Sequence, residues 1–213
     1  MAMNIEELTN GLVELQGEKV TGIINDALRE GINPLELVEK LQKGMVMIGE
    51  KFSRGEYFLS ELIMSGEIMK EAMAIIEPKL AGVTQETKGT VVIGTVRGDI
   101  HDLGKNIVVM LLKGSGYHVI DLGVDVPEAK VVQAVQEHKP GLLGLSVLLT
   151  GCQDAMKETI SAVKAAGLTD VKVLIGGNYV DEKVLEFCGA DYFGKSADEA
   201  VTVADQVFGV SKK

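Results

Sequence analysis

The chain has 213 residues, a formal charge of −10 at pH 7, two cysteines and three histidines. That length fits one large domain or two small ones. The acidic balance excludes nucleic-acid binding through a basic stripe, Cys152 and Cys188 are too few for a disulfide framework, and no apolar run approaches the roughly 20 residues of a membrane span.

The first residues, Met1 to Glu7, carry neither a basic region nor a long apolar stretch, so no secretory signal is expected and the expected location is the cytoplasm. A weak helical segment runs from Ile5 to Leu15. In Val20, Ile23, Ile24, Ala27 and Leu28 apolar residues recur at three- and four-residue steps, which predicts a second helix with one buried stripe, stopped by Gly31. Asn33-Pro34 is a start signal, a side chain that caps followed by a residue suited to the first helical position. The third helix then runs through Leu35, Val38, Leu41, Met45 and Ile48 to Phe52. After the break at Ser53-Arg54-Gly55, a fourth runs from about Tyr57 through Leu62, Ile63, Met69 and Met73 to Ile76, with Pro78 beyond. Short connections predict a four-helix bundle over residues 1–80. Residues 81–88 lack apolar periodicity and read as a linker.

From Gly89 the pattern changes. Apolar runs at Thr90–Val96, His118–Leu122, Leu142–Leu148, Val171–Ile175 and Asp191–Phe193 alternate with amphipathic stretches near 103–114, 127–138, 153–166, 181–188 and 197–208. Five strands, each followed by a helix, predict a parallel sheet with right-handed crossovers. The fold class is therefore α/β: a helical bundle over 1–80, then a flavodoxin-like, Rossmann-type five-stranded domain over 89–213. Such domains bind ligands beyond the carboxyl ends of their strands.

The first strand runs into Arg97-Gly98-Asp99-Ile100-His101-Asp102-Leu103-Gly104-Lys105-Asn106, which places a histidine flanked by acids on that ligand edge. A neutral imidazole is a good ligand for a borderline transition metal, and a ligating histidine usually gives its second ring N–H to a carboxylate; Asp99 is spaced for that. Gly104 leaves room for a bulky ligand. One histidine cannot build a metal site alone, so the metal must bring most of its own ligands, as a macrocycle does. Taken singly, a histidine in a loop more often caps a helix or makes a loop hydrogen bond. The polar neighbours Asp102, Lys105 and Asp125 read as salt-bridge or capping residues.

Asp99-x-His101-x-x-Gly104 resembles the motif of cobalamin-binding domains, which also carry Ser-x-Leu after the third strand and Gly-Gly after the fourth; here these are Ser146-Val147-Leu148 and Gly176-Gly177. The resemblance implies that cobalamin or a related corrinoid is the cofactor, that His101 replaces the cofactor's own benzimidazole on cobalt, and that Asp99 is its proton-linked partner. It further implies that the nucleotide tail threads into the α/β domain. The cofactor-binding set implied is Asp99, His101, Asp102, Gly104, Ser146, Leu148, Thr150, Gly176 and Gly177. Cys152 stands where the methionine synthase branch extends the His–Asp pair with a serine, and a thiol is the poorer hydrogen-bond partner.

The helical half is similar to the module that covers the upper corrin face in methionine synthase and in small corrinoid proteins, through Phe52-x-x-Gly55-x-x-Phe58-Leu59 and on to Glu77-Pro78. Phe52, Leu59 and Leu62 are then expected to shield the cofactor, although large apolar residues at a helix corner are more often core. Ser60 stands where the family commonly has proline, which leaves the start of the fourth helix less fixed. By resemblance the chain is a methyl carrier, not catalytic alone. It shuttles a methyl group from a substrate-specific methyltransferase to an acceptor methyltransferase using a thiol or tetrahydrofolate, and a reductive activation protein is a further candidate partner. The alternatives are a cobalamin-dependent mutase subunit, which pairs the domain with a barrel, and a cobalamin-sensing regulator, which adds a DNA-binding segment.

Overall fold

A computed structural model of the chain describes residues 5–80 and 87–210. Most of the linker expectation, residues 81–86, lies outside the described residues. The chain divides into two compact units, Met1–Glu86 with Gly114–Gly116, and Thr87–Lys113 with Tyr117–Lys213.

In the first unit, helices α1 (Glu6–Val13), α2 (Gly17–Arg29), α3 (Pro34–Ser53) and α4 (Leu59–Ile76) pack α1 on α2 and α3, and α4 on α2 and α3. Val20, Ile24, Ala27, Val38, Leu41, Met45, Ile48 and Leu62 are buried as the three- and four-residue spacing predicts, Ile23, Leu28 and Leu35 are half-buried, and Leu8, Leu12 and Leu37 complete the core. Gly31, at φ +78°, lies just beyond α2, and the Asn33 side chain accepts from the Leu35 N–H at 3.1 Å to start α3 at Pro34. The start of α4 is held despite Ser60: the Glu61 carboxylate accepts from the Phe58 N–H at 2.8 Å and from the Ser60 hydroxyl at 3.0 Å. A carboxylate reaching back over the first turn replaces the rigidity of a proline ring.

The second unit is a five-stranded parallel sheet in the order β2-β1-β3-β4-β5, with β1 Thr90–Thr95, β2 His118–Asp121, β3 Leu142–Ser146, β4 Lys172–Gly176 and β5 Tyr192–Gly194. Helices α5 (Leu103–Gly114), α6 (Glu128–His138), α7 (Gln153–Ala165), α8 (Glu182–Cys188) and α9 (Ala197–Val207) alternate with the strands. Side chains alternate across the sheet. Val92, Leu143, Leu145, Val173 and Ile175 form a core with Val131, Val135, Ile160 and Val184 of α6, α7 and α8. Val91, Ile93, Leu142 and Leu174 form another with Leu112 of α5 and Ala200 and Ala204 of α9. Helices thus cover both faces, and the strand order reverses between β1 and β3, opening a crevice at their carboxyl ends. β3 stops at Ser146, two residues short of the apolar run that predicts it. Beyond it the backbone N–H groups of Leu148 and Leu149 turn away from the sheet and donate to Asp99.

Candidate functional site

The turn from β1 into α5 is built around one buried carboxylate. Asp99 is fully buried. Its Oδ1 accepts from the His101 backbone N–H at 3.0 Å and pairs with His101 Nδ1 at 2.7 Å; its Oδ2 accepts from Leu148 N–H at 2.5 Å and Leu149 N–H at 3.0 Å. Burial pushes this carboxyl up, but donation from Leu148, His101 and Leu149 and from the His101 ring outweighs it and holds the group at about 2, below its ordinary 3.8. Asp99 is therefore an anion at neutral pH and only accepts. Nδ1 must carry a proton to meet it, which leaves Nε2 as the ring nitrogen available to a ligand. The His101 side chain is half-exposed. Thr95, fully buried at the end of β1, donates its hydroxyl to the His101 carbonyl at 3.1 Å.

The surroundings fit a large apolar disc more readily than a hydrated ion. Ile100 is 71% exposed and Leu103 57%, and Leu148 and Leu149 are also exposed. Four large apolar side chains open to solvent next to one imidazole are costly unless something covers them. Among the described residues no group of three or more His, Cys, Asp or Glu side chains converges to hold a bare ion. A cobalt that arrives with a tetrapyrrole's four nitrogens needs only the one imidazole that is there. A Cβ on Gly104 would meet nothing within 4 Å, so open space lies beside His101 at the start of α5.

The other candidates sort by position. Asp102 closes the first turn of α5, its backbone carbonyl accepting from Asn106 N–H at 2.8 Å and its carboxylate from the Asn106 amide at 3.1 Å. Lys105 is buried against Asp121, at 2.6 Å, and Asn106, at 2.8 Å. Ser146, half-buried, ends β3, and Thr150, exposed, opens the short turn before α7. Gly176 ends β4 with no protein atom closer than 3.7 Å to an added Cβ, whereas a Cβ on Gly177 (φ +150°) would fall 1.8 Å from the Val147 carbonyl oxygen. Gly177 is thus demanded by the fold itself, and only Gly176 leaves open room. Cys152 is not among the groups that hydrogen-bond Asp99: two backbone N–H groups occupy Oδ2 instead. Burial, then the charges of Asp99 and Asp125, push the Cys152 thiol up, so it stays protonated. In the helical unit Phe52 and Leu59 are half-buried and Leu62 is fully buried, while Phe58, Ile63 and Met64 are the large exposed apolar residues at the start of α4.

Sequence reasoning missed Thr95, Leu149 and Tyr179, whose hydroxyl donates to the Leu149 carbonyl at 2.6 Å. It also passed over Ile100 and Leu103, for which a signal existed: bulky apolar residues inside an otherwise polar strand-to-helix loop.

Two family models match the chain, a B12 binding domain over residues 89–204 and a second B12 binding domain over residues 4–77. The trimethylamine corrinoid protein of Methanosarcina barkeri is 38% identical over 201 residues, which is 92% of this chain and 93% of that protein. A cobalamin-binding protein from Desulfitobacterium hafniense superposes with a TM-score of 0.78 at 35% identity, over 97% of this chain and 99% of that one. A chain of the methanol:cobalamin methyltransferase complex from Methanosarcina barkeri superposes at 0.87 with 31% identity, over 97% of this chain and 80% of that one. A buried anion steering one imidazole, an uncovered apolar rim and likeness along nearly the whole chain lead to one conclusion: the chain belongs to the cobalamin-binding corrinoid proteins of methyltransferase systems.

Proposed function

We propose that this chain binds its corrinoid with the benzimidazole off the cobalt and His101 Nε2 on it, and carries a methyl group between a substrate methyltransferase and an acceptor methyltransferase that uses a thiol or tetrahydrofolate. When bound, the corrinoid supplies a metal centre that takes up and gives back a methyl group. The observation that carries the reading is the 2.7 Å contact of Asp99 with His101 Nδ1, made by a carboxyl held at about 2. That anion holds the imidazole through Nδ1 and leaves Nε2 as the ring nitrogen that would meet the metal. Asp102 fixes the start of α5, and Gly104 gives the ring access to His101. Ser146 and Thr150 offer hydroxyls to the nucleotide tail, Leu148 offers apolar surface, and Gly176, beside the fold-required Gly177, leaves the passage at the end of the fourth strand.

In the helical unit, Phe52 and Leu59 shield the upper face from water, and Leu62 supports the helix that bears Leu59. The reading takes 1–80 and 89–213 as two domains joined by 81–88, each of which a partner methyltransferase can address. The donor is a small methylated compound, a methylamine or methanol, since relatives named for trimethylamine and for methanol share this architecture. Donor choice then rests with the partner enzyme.

The test is electron paramagnetic resonance of the cobalt(II) form reconstituted with cobalamin, with histidine nitrogens labelled with nitrogen-15. Coupling to the labelled nitrogen is expected in the wild type and lost in His101→Ala. Coupling that still reports the cofactor's own benzimidazole would refute the assignment.

A further inference from the structure

The turn after β2 grips the histidine loop at four points. The Thr95 N–H donates to the Gly123 carbonyl at 3.0 Å, and the Val126 N–H to the Thr95 carbonyl at 3.0 Å. The other two belong to a single residue. Asp125 Oδ1 accepts from the Gly98 N–H at 2.7 Å, and the Asp125 N–H donates to the Asp99 carbonyl at 2.9 Å. To face both ways Asp125 adopts φ +50°, the left-handed region, one of three non-glycine residues to do so among the described residues. Aspartate and asparagine tolerate that conformation better than most residues. A strained backbone kept in place by its own two hydrogen bonds marks a position that the surroundings over-determine.

We propose that Asp125 is a positioning residue for the metal ligand, clamping Gly98 and Asp99 from the neighbouring strand end so that the Asp99 carboxylate meets His101 in register. Gly98 (φ +85°) is itself in a conformation that favours glycine, so the segment before Asp99 has wide freedom unless it is held. The Leu148 and Leu149 N–H groups fix the carboxylate end of Asp99, and Asp125 fixes its carbonyl, while the Asp99 N–H donates to the Val96 carbonyl at 3.2 Å. With both ends held, the carboxylate cannot rotate away from Nδ1. Asp125 makes no hydrogen bond to the imidazole; it acts through Asp99.

This inference rests on the His101-ligated reading above, and its test separates the two. Three full-length variants are reconstituted with cobalamin. Asp125→Asn keeps the acceptor and tolerates the left-handed backbone. Asp125→Gly keeps the backbone freedom without the acceptor, and Asp125→Ala loses both. Read by the nitrogen-15 coupling of cobalt(II), the Asn variant retains the wild-type ratio of histidine-bound to histidine-free cofactor. The Gly variant shifts that ratio by roughly five- to tenfold, as loss of one hydrogen bond does, and the Ala variant by at least as much. In the cofactor-free protein, amide exchange at Gly98 accelerates in the Gly variant and not in the Asn variant. A Gly variant with the wild-type ratio overturns the proposal, and so does an Asn variant as impaired as Gly, since charge rather than placement would then be at work. Absence of histidine coupling in the wild type would instead remove the underlying reading.

Discussion

Gly176 and Gly177 are neighbours in sequence and differ in cause. A methyl group on Gly176 enters open room, 3.7 Å from the nearest atom; on Gly177 it would lie 1.8 Å from a carbonyl oxygen. Gly177→Ala is therefore expected to destabilise the cofactor-free protein by at least about 2 kcal/mol, from overpacking and backbone strain together. Gly176→Ala is expected to cost less than about 1 kcal/mol and to act on cofactor uptake. Urea midpoints of the two variants decide this, and equal midpoints would contradict it. The sequence reading assigned both glycines to the tail slot, because a glycine pair at a strand end looks the same whether a ligand or a carbonyl oxygen requires it. His101 and Asp99 were legible because their two-residue spacing on a turning loop confines both to one ligand edge. Thr95 was not, since one threonine closing a strand resembles any other until the loop folds back upon it.

At the scale of the element, each end of a helix or strand has a local cause. The start of α4 depends on one exposed carboxylate. The Phe58 N–H, then the Glu61 N–H and the Ser60 hydroxyl, hold the Glu61 carboxyl below its ordinary 4.5. Because the folded value is the lower one, this support is complete above the ordinary carboxylate range and is lost as pH falls below it. Protection of the Phe58 amide from exchange is expected to decline with acid in the wild type and to be weak at all pH values in Glu61→Ala. Unchanged protection in the variant would mean that packing alone starts the helix. The period of apolar residues located every element, but strand ends were less legible: β3 stops early because Leu148 and Leu149 give their N–H groups to a residue almost fifty positions away.

At the scale of the molecule, the sheet unit has cores on both of its faces built from its own helices. A chain beginning at Thr87 is expected to unfold cooperatively by calorimetry and to take up cobalamin with the histidine coupling of the full chain. If the helical unit shields the cofactor as proposed, the methylated form of this fragment should lose its methyl group to water or light faster than the full-length protein does. A fragment that fails to fold would put the domain boundary elsewhere. No described helix is long and apolar enough to cross a membrane.

The amino-acid sequence by itself determined the helical unit, the five alternations of strand and helix, and the one histidine on the ligand edge of the sheet. Each of these is periodic or local, and period and spacing survive in a linear string. The tertiary structure alone decided which groups meet Asp99, why Gly177 cannot carry a side chain, that Leu62 is buried, and that Asp125 faces the histidine loop. Those contacts join distant parts of the chain: the parallel stacking of β1 to β4 brings the strand ends together, and helix packing buries Leu62.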